Sequence, residues 1–149
     1  MDDGFDIDEA DGGSLLVIIN DSQASGNLDE GFDFDAEDGA VKTAFVKVTA
    51  SNNFNEGIKV SSGEEGNVLV AIEESTVIGN LDDGMQLESE GTGLLTVSIV
   101  NTEVSGSKKA DVKVEQKESN PSLGTLEIIG GSIDAAGVKT KNMDLKDLN

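Results

Sequence analysis

Residues 27–34 read Asn-Leu-Asp-Glu-Gly-Phe-Asp-Phe, and versions of this stretch return along the whole chain. An alternation of apolar and polar residues follows the glycine at position 31. The same arrangement follows positions 4, 57, 84, 111 and 137, where Asp111 is the one residue that is not glycine. The intervals between these six anchor positions are 27, 26, 27, 27 and 26 residues. A fixed interval of this size is typical of repeat architectures, in which each repeat is one structural unit.

Each repeat contains three segments with strand character. The alternation after the anchor is typical of a half-buried strand. A second, more apolar segment follows: Leu15–Ile19, Ala44–Val48, Val68–Ile72, Leu94–Val100 and Leu126–Ile129. In repeats two and five its inward positions, Val46/Val48 and Leu126/Ile128, come two residues late. We therefore expect these two repeats to lose about three residues before the third strand.

The third segment ends at a corner just before the next anchor. The second place of this corner holds a glycine or asparagine, which favours a left-handed backbone: Gly26, Asn52, Gly79 and Gly106. The next place holds an asparagine in three consecutive repeats, Asn27, Asn53 and Asn80, and then Ser107. Asparagines stacked at strand spacing can hydrogen-bond along the stack, so the sequence predicts an asparagine ladder that ends at Ser107.

Three short strands joined by tight corners predict a right-handed parallel β-helix of about six coils. A single domain, residues 1–149, would hold all of them. Its inward side chains should form two columns, Phe5, Phe32, Ile58, Met85, Val112 and Val138 beside Ile7, Phe34, Val60, Leu87 and Val114. The pattern Asn-x-x-Asp-Gly-apolar-x-apolar, in residues 27–34, 53–60 and 80–87, resembles the parallel β-helix proteins of the pectate-lyase-like superfamily. That resemblance is one of fold and implies little about function.

The composition removes several kinds of chemistry. The chain has no Cys, His, Trp, Tyr or Arg, and all ten of its basic residues are Lys. Disulfides, thiolate or imidazole metal sites, and nucleophiles activated by histidine are therefore excluded. Aromatic platforms of Trp or Tyr for sugars are excluded too. We assign no catalytic residue and expect a protein that is not an enzyme.

The charge restricts the partners. Thirty acidic residues against ten basic ones give a net charge of −20, which repels nucleic acids and anionic membranes. The longest apolar run, Leu15–Ile19, is far too short to span a bilayer, and the sequence as given contains no signal peptide. Fold and acidity together favour an extracellular or cell-envelope location.

The outward positions of the first strand hold the leading candidate site. Asp6, Asp8, Asp33 and Asp35 should form a grid of four carboxylates on adjacent coils, with spacings of about 4.8 by 6.7 Å. Like charges across strands are destabilising, so a hard cation such as Ca²⁺ is the candidate ligand. Paired carboxylates for glycoside hydrolysis and a merely solvated acidic face are the alternatives. Lys59 adjoins the grid as a cross-coil partner of Asp33.

A second carboxylate column is expected at the corner. Asp29, Asp82 and Asp83 stand just before the anchors, with Asp2, Asp3, Glu30 and Glu56 in the same column. These residues are further candidates to bind a cation between coils, and a solvated polar corner is the simpler alternative.

These features lead to one functional expectation and one alternative. We expect a structural or binding β-helix module with an acidic surface, stabilised by Ca²⁺. The alternative is a β-helix that binds or cleaves carbohydrate, with a polysaccharide as partner. An acidic protein adapted to high salt is a third reading. Because an uncapped first coil offers open strand edges, we also expect self-association through the ends of the helix.

Overall fold

The computed structural model describes residues 2–118, 122–134 and 137–148, and short strands make up most of them. Seventeen strands follow in chain order: β1 (Phe5–Glu9), β2 (Leu15–Asn20), β3 (Gln23–Ser25), β4 (Phe32–Ala36), β5 (Val41–Val46), β6 (Thr49–Ser51), β7 (Ile58–Ser62), β8 (Val68–Glu73), β9 (Thr76–Ile78), β10 (Met85–Ser89), β11 (Leu95–Val100), β12 (Glu103–Ser105), β13 (Val112–Gln116), β14 (Gly124–Ile129), β15 (Ser132–Ile133), β16 (Val138–Lys141) and β17 (Met143–Leu148). None of the described segments is a helix long and apolar enough to cross a membrane.

The strands form three parallel sheets, one on each side of a solenoid of about five turns. Sheet 1 has the order β1-β4-β7-β10-β13-β16, sheet 2 the order β2-β5-β8-β11-β14-β17, and sheet 3 the order β3-β6-β9-β12-β15. Five coils carry all three strands, and β16 and β17 begin a sixth. This topology confirms the predicted parallel β-helix with three strands per coil.

The core consists of the predicted inward columns. Phe32, Ile58, Met85 and Val112 are paired in register and are fully buried, as are Phe34, Val60, Leu87 and Val114 in the neighbouring column. The rings of Phe5 and Phe32 stack with their centroids 5.0 Å apart. The two columns are open at both ends of the described solenoid, since Phe5 and Ile7 are 40% and 39% exposed and Val138 is only partly buried.

The anchor glycines are required by close backbone approach. A Cβ atom on Gly31 would lie 2.5 Å from the carbonyl oxygen of Gly57, and one on Gly84 would lie 2.5 Å from that of Asp111. The sequence left open whether these glycines serve a positive φ or a tight contact. The structure shows that the tight contact requires these glycines, because the backbones of consecutive coils touch at this position.

The asparagine ladder forms as predicted. Asn27 Nδ2 donates to Asn53 Oδ1 at 2.8 Å, and Asn53 Nδ2 donates to Asn80 Oδ1 at 3.0 Å. The same two oxygens also accept the backbone N–H groups of Asn27 and Asn53. Asn53 and Asn80 are fully buried, so the ladder supplies hydrogen bonds that the corner backbone would otherwise lack.

The predicted left-handed corner is confirmed, and a second such corner was missed. Gly26, Asn52, Gly79 and Gly106 have φ between 55° and 71°. The corner between sheets 2 and 3 is also left-handed, at Asp21, Lys47, Glu74, Asn101 and Gly130, with φ between 47° and 63°. Lys and Glu are unusual in this conformation, so residue type does not indicate this corner at two of the five coils.

The second strand of coil two was placed wrongly. The prediction was Ala44–Val48 with Val46 and Val48 inward, but β5 is Val41–Val46, and Val41, Thr43 and Phe45 point inward. Val48 is buried as predicted, but it lies after the end of β5. Phe45 packs between the columns, 5.7 Å from the rings of both Phe32 and Phe34. Burying this ring outweighs the cost of turning the Thr43 hydroxyl inward. Coil two is one residue shorter than coil one because its loop between β4 and β5 is one residue shorter than the loop between β1 and β2.

Coil five is predicted correctly in its loop and wrongly after it. Thr125 pairs with Thr96, 29 residues earlier, so two residues are gained before the second strand, as expected. Ile133 still pairs with Val104 at the same offset of 29, whereas Val138 pairs with Val112 at 26. The three residues are therefore lost after the third strand rather than before it.

Candidate functional site

The predicted aspartate grid lies on the outer face of sheet 1. Asp6 pairs with Asp33 and Asp8 pairs with Asp35 in the β1–β4 register. Asp6 and Asp8 are exposed, and the other two are half-buried. Burial, together with the negative charges of Asp8 and Asp3, raises the pKa of Asp6 above its usual range. The grid is thus a region of mutual repulsion, as its spacing predicted.

Two neighbours on β7 relieve that repulsion in the second coil. Lys59 Nζ lies 2.8 Å from Asp33 Oδ2, which confirms the predicted cross-coil pair, and Ser61 Oγ donates to Asp35 Oδ1 at 2.6 Å. Burial still raises the pKa of Asp33, and Lys59 opposes that shift. Two of the four grid aspartates, Asp33 and Asp35, therefore already have an ion-pair or hydrogen-bond partner within the chain.

The corner column brings carboxylates closer together than the grid does. Two groups of three carboxylates have ligand oxygens that all lie within 4.8 Å of one another: Asp3, Asp29 and Glu30, and two coils later Glu56, Asp82 and Asp83. We call them the Asp3 triad and the Glu56 triad. Within the described part of the chain, the four grid aspartates form no such group. Asp29, Asp82 and Asp83 were predicted, whereas the sequence alone could not rank this corner above the grid.

The Asp3 triad is largely satisfied by its neighbours. Asp3 Oδ1 accepts the backbone N–H of Glu30 at 2.9 Å, Asn55 Nδ2 donates to Asp29, and Lys59 Nζ lies 3.3 Å from Glu30 Oε1. Burial and hydrogen bonds with the carboxyl groups of Asp29 and Asp3 raise the pKa of Glu30 to about 8. The surroundings of Glu30 therefore favour its protonated form more strongly than water does.

The Glu56 triad is less completely satisfied. Asp83 Oδ1 accepts the backbone N–H of Ala110 at 2.7 Å, and Lys109 Nζ lies 2.6 Å from Asp82 Oδ1. Glu56 is only 6% exposed, and within the described ranges the hydrogen bond to its carboxylate comes from its own backbone N–H, with no ion pair. Burial raises its pKa, and the nearby charges of Asp82 and Asp83 raise it further. Glu56 is thus a buried acid that faces two more acids.

A buried ion-pair network was missed by the sequence reasoning. Glu88, on the outer side of β10, is 2% exposed because two lysines cover it, with Lys113 Nζ at 2.9 Å and Lys117 Nζ at 2.8 Å. Burial alone would raise the pKa of Glu88, but the hydrogen bonds from these lysines outweigh burial and lower it. The sequence contained one indication of this network: Lys113 is an outward residue one coil after Glu88 and lies diagonally across from it in the strand register.

A shallow groove runs beside the grid. Its lining combines the outer face of sheet 1 with the loops that follow, and includes Asp8, Asp35, Lys59, Ser61 and Glu64. The groove is open and mostly acidic, so it suits cations or hydroxyl-rich ligands rather than anions.

The comparisons with known proteins add no relative. No family model, no curated protein and no solved structure matches this chain. The function therefore has to be inferred from the site geometry alone.

Proposed function

We propose that this chain is a non-enzymatic structural or binding module, a β-helix whose acidic corner holds a divalent cation between coils. The observation that carries the proposal is Glu56. Its carboxylate is buried, receives no hydrogen bond from another described residue, and faces the carboxylates of Asp82 and Asp83. A buried charge without a partner is costly, and a cation bound by all three acids would remove that cost.

The donor set favours Ca²⁺ over transition metals. The triad offers only carboxylate oxygens, which hard cations prefer, and Ca²⁺ tolerates irregular geometry and completes its shell with water. Among the described residues, Lys109 is the cation that forms an ion pair with the triad, and its side chain is 64% exposed. An exposed ion pair contributes at most about 1 kcal/mol, so Lys109 can leave Asp82 at little cost.

The proposal is tested by thermal unfolding with millimolar Ca²⁺ and with EDTA. A ligand at one hundred times its Kd stabilises the folded state by about 2.7 kcal/mol, which gives a clear rise in Tm. Glu56→Gln should raise the Tm in EDTA, because it removes buried repulsion, and should abolish the response to Ca²⁺. The matched control is Glu37→Gln, an exposed loop acid, which should keep the response. An unchanged Tm at millimolar Ca²⁺, or an equal rise with NaCl of the same ionic strength, would refute the cation site.

Carbohydrate binding is the second candidate function, and the groove beside the grid favours it. Carboxylates such as Asp8 and Asp35 accept hydrogen bonds from sugar hydroxyls, and the open shape suits an extended polymer. A screen of neutral and anionic polysaccharides by affinity electrophoresis tests this function. Retardation that Asp35→Asn weakens would support it, and unchanged mobility with every polymer would exclude it.

A further inference from the structure

The outer face of sheet 2 differs from the acidic outer face of sheet 1, and it is broader and more apolar than that of sheet 3, whose three-residue strands present mostly uncharged polar side chains. Its outward side chains form three rows across the coils: Leu16, Lys42, Leu69, Thr96, Thr125 and Asp144; Ile18, Ala44, Ala71, Ser98, Glu127 and Lys146; and Asn20, Val46, Glu73, Val100 and Ile129. In the first four coils only Lys42 and Glu73 are charged. The corresponding rows of sheet 1 in the same coils hold only two uncharged residues, Gln86 and Ser61.

The outer face of sheet 2 is also apolar and exposed. Leu16 and Ile18 are 69% and 62% exposed, and Leu69 and Ile129 are 40% and 45% exposed. Isolated apolar residues are common on protein surfaces, but a contiguous apolar patch usually marks an interaction site. Because the outer side chains of a sheet stand in rows, these residues form one flat face rather than scattered positions.

We propose that the outer face of sheet 2 is the interface of a symmetric dimer, occupied by a second copy of this chain. Charge and apolar exposure together favour this contact. Two chains of net charge −20 repel each other strongly, so they meet most easily away from the acidic face of sheet 1. Sheets 2 and 3 both carry few outward charges, but among the described residues only sheet 2 also exposes large apolar side chains on its outer face. Packing sheet 2 on sheet 2 turns both acidic grids away from the contact.

Two of the five charged residues on the face, Lys42 and Glu73, are complementary under a two-fold axis, and the other three lie in the last two coils. Lys42 and Glu73 are both exposed, and neither forms an ion pair with another described residue. The line between them crosses the Ala44–Ala71 pair in the β5–β8 register. An axis through this pair exchanges the two charged positions, so Lys42 of each copy meets Glu73 of the other. The sheets then approach most closely where the side chains are smallest.

The size of the face agrees with a reversible dimer. With about 4.8 Å between strands and about 3.3 Å between residues, six strands of up to six residues cover about 500 Å² in projection. Protruding side chains make the buried area larger than the projection. The projected area lies close to the lower end of the roughly 600–1,000 Å² per partner found in specific complexes, which agrees with a weak, reversible dimer.

The test is sedimentation equilibrium of the full chain and of two matched variants. Ile18→Lys places a charge on the face, while Leu28→Lys makes the same kind of change at a residue that is 66% exposed but lies at the corner beside the asparagine ladder. We expect Ile18→Lys to raise the dimer Kd by at least about tenfold and Leu28→Lys to leave it within about twofold. Lys42→Glu should weaken the dimer, and the double variant Lys42→Glu/Glu73→Lys should restore it.

Three outcomes would overturn the proposal. The first is a wild-type chain that stays monomeric at every concentration measured. The second is an equal effect of Ile18→Lys and Leu28→Lys. The third is dissociation by Phe5→Lys but not by Ile18→Lys, which would place the contact at the open first coil instead. Circular dichroism of each variant confirms that the β-helix is intact, so a change in Kd reports on the interface.

Discussion

Replacing Asn53 by alanine is the most direct test of the asparagine ladder. The Asn53 side chain takes part in four hydrogen bonds: its Oδ1 accepts from the backbone N–H and from Nδ2 of Asn27, and its Nδ2 donates to Ala24 O and to Asn80 Oδ1. The side chain is fully buried, so water cannot replace it. Alanine therefore removes all four bonds and leaves buried polar groups in two neighbouring coils without partners.

The expected loss of stability follows from these bonds. Each hydrogen bond contributes about 0.5–1.5 kcal/mol net, and bonds that share an atom are not additive, so Asn53→Ala should cost about 3 kcal/mol. The control is Asn27→Ala at the open end of the ladder. Its side chain donates one ladder bond, to Asn53 Oδ1, so this variant should cost about 1 kcal/mol.

Equilibrium unfolding in guanidinium chloride measures both values, and an unchanged m-value ensures that the variants are compared on the same transition. The two substitutions remove the same side chain but differ in the number of ladder hydrogen bonds lost and in burial, since Asn53 is fully buried and Asn27 is partly exposed. Equal costs at the two positions, or a cost below about 1 kcal/mol for Asn53→Ala, would refute the ladder as a source of stability.

Three further predictions concern single side chains. Ser107 ends the ladder and its Oγ is buried without a hydrogen-bond partner among the described residues, so Ser107→Asn should extend the ladder and stabilise the fold by about 0.5–1.5 kcal/mol, measured by denaturant unfolding. The raised pKa of Glu30 stabilises the fold below about pH 4.5, and this contribution is lost as the pH rises to about 8. Glu30→Gln should therefore flatten the fall of Tm across that window, and a wild-type Tm that rises there would contradict the assignment. Glu88→Gln should cost about 1–3 kcal/mol at pH 7, because Lys113 and Lys117 lose their shared carboxylate. Since the pKa of Glu88 is lowered, this cost should shrink as the pH falls below about 4.5, and a cost that does not depend on pH would count against the ion pair.

The sequence predicted the parts of the fold that every coil repeats. Gly31, Asn53 and Phe34 each occupy a place whose neighbours one coil away have the same chemistry, so spacing alone identified the anchors, the ladder and the columns. It failed where one coil departs from the others. In β5 the polar Thr43 stands at an inward position, and its hydroxyl is buried without a hydrogen-bond partner. A periodic pattern cannot predict the inward position of Thr43, whose cost is offset by the burial of the nearby Phe45 ring.

The sequence predicted which residues form the candidate sites, but it did not predict that the corner column is a better cation site than the grid. Strand alternation placed the grid correctly, because outward positions follow from the two-residue period alone. The corner depends on how far a side chain turns inward, and that depends on the tertiary fold. Glu56 was therefore named only as a member of a column, although its burial is what makes the corner chemically distinctive.

The backbone contact at the anchor glycines has a consequence for how this molecule can change in length. Gly31 rests on Gly57, and Gly84 rests on Asp111, through contacts that do not depend on which coil lies above or below. Removing or duplicating one whole coil would bring equivalent surfaces together again, whereas removing a few residues from a corner would not. A protein built in this way can grow or shrink by tandem duplication and deletion of a unit of 26 or 27 residues, with its cross-section unchanged.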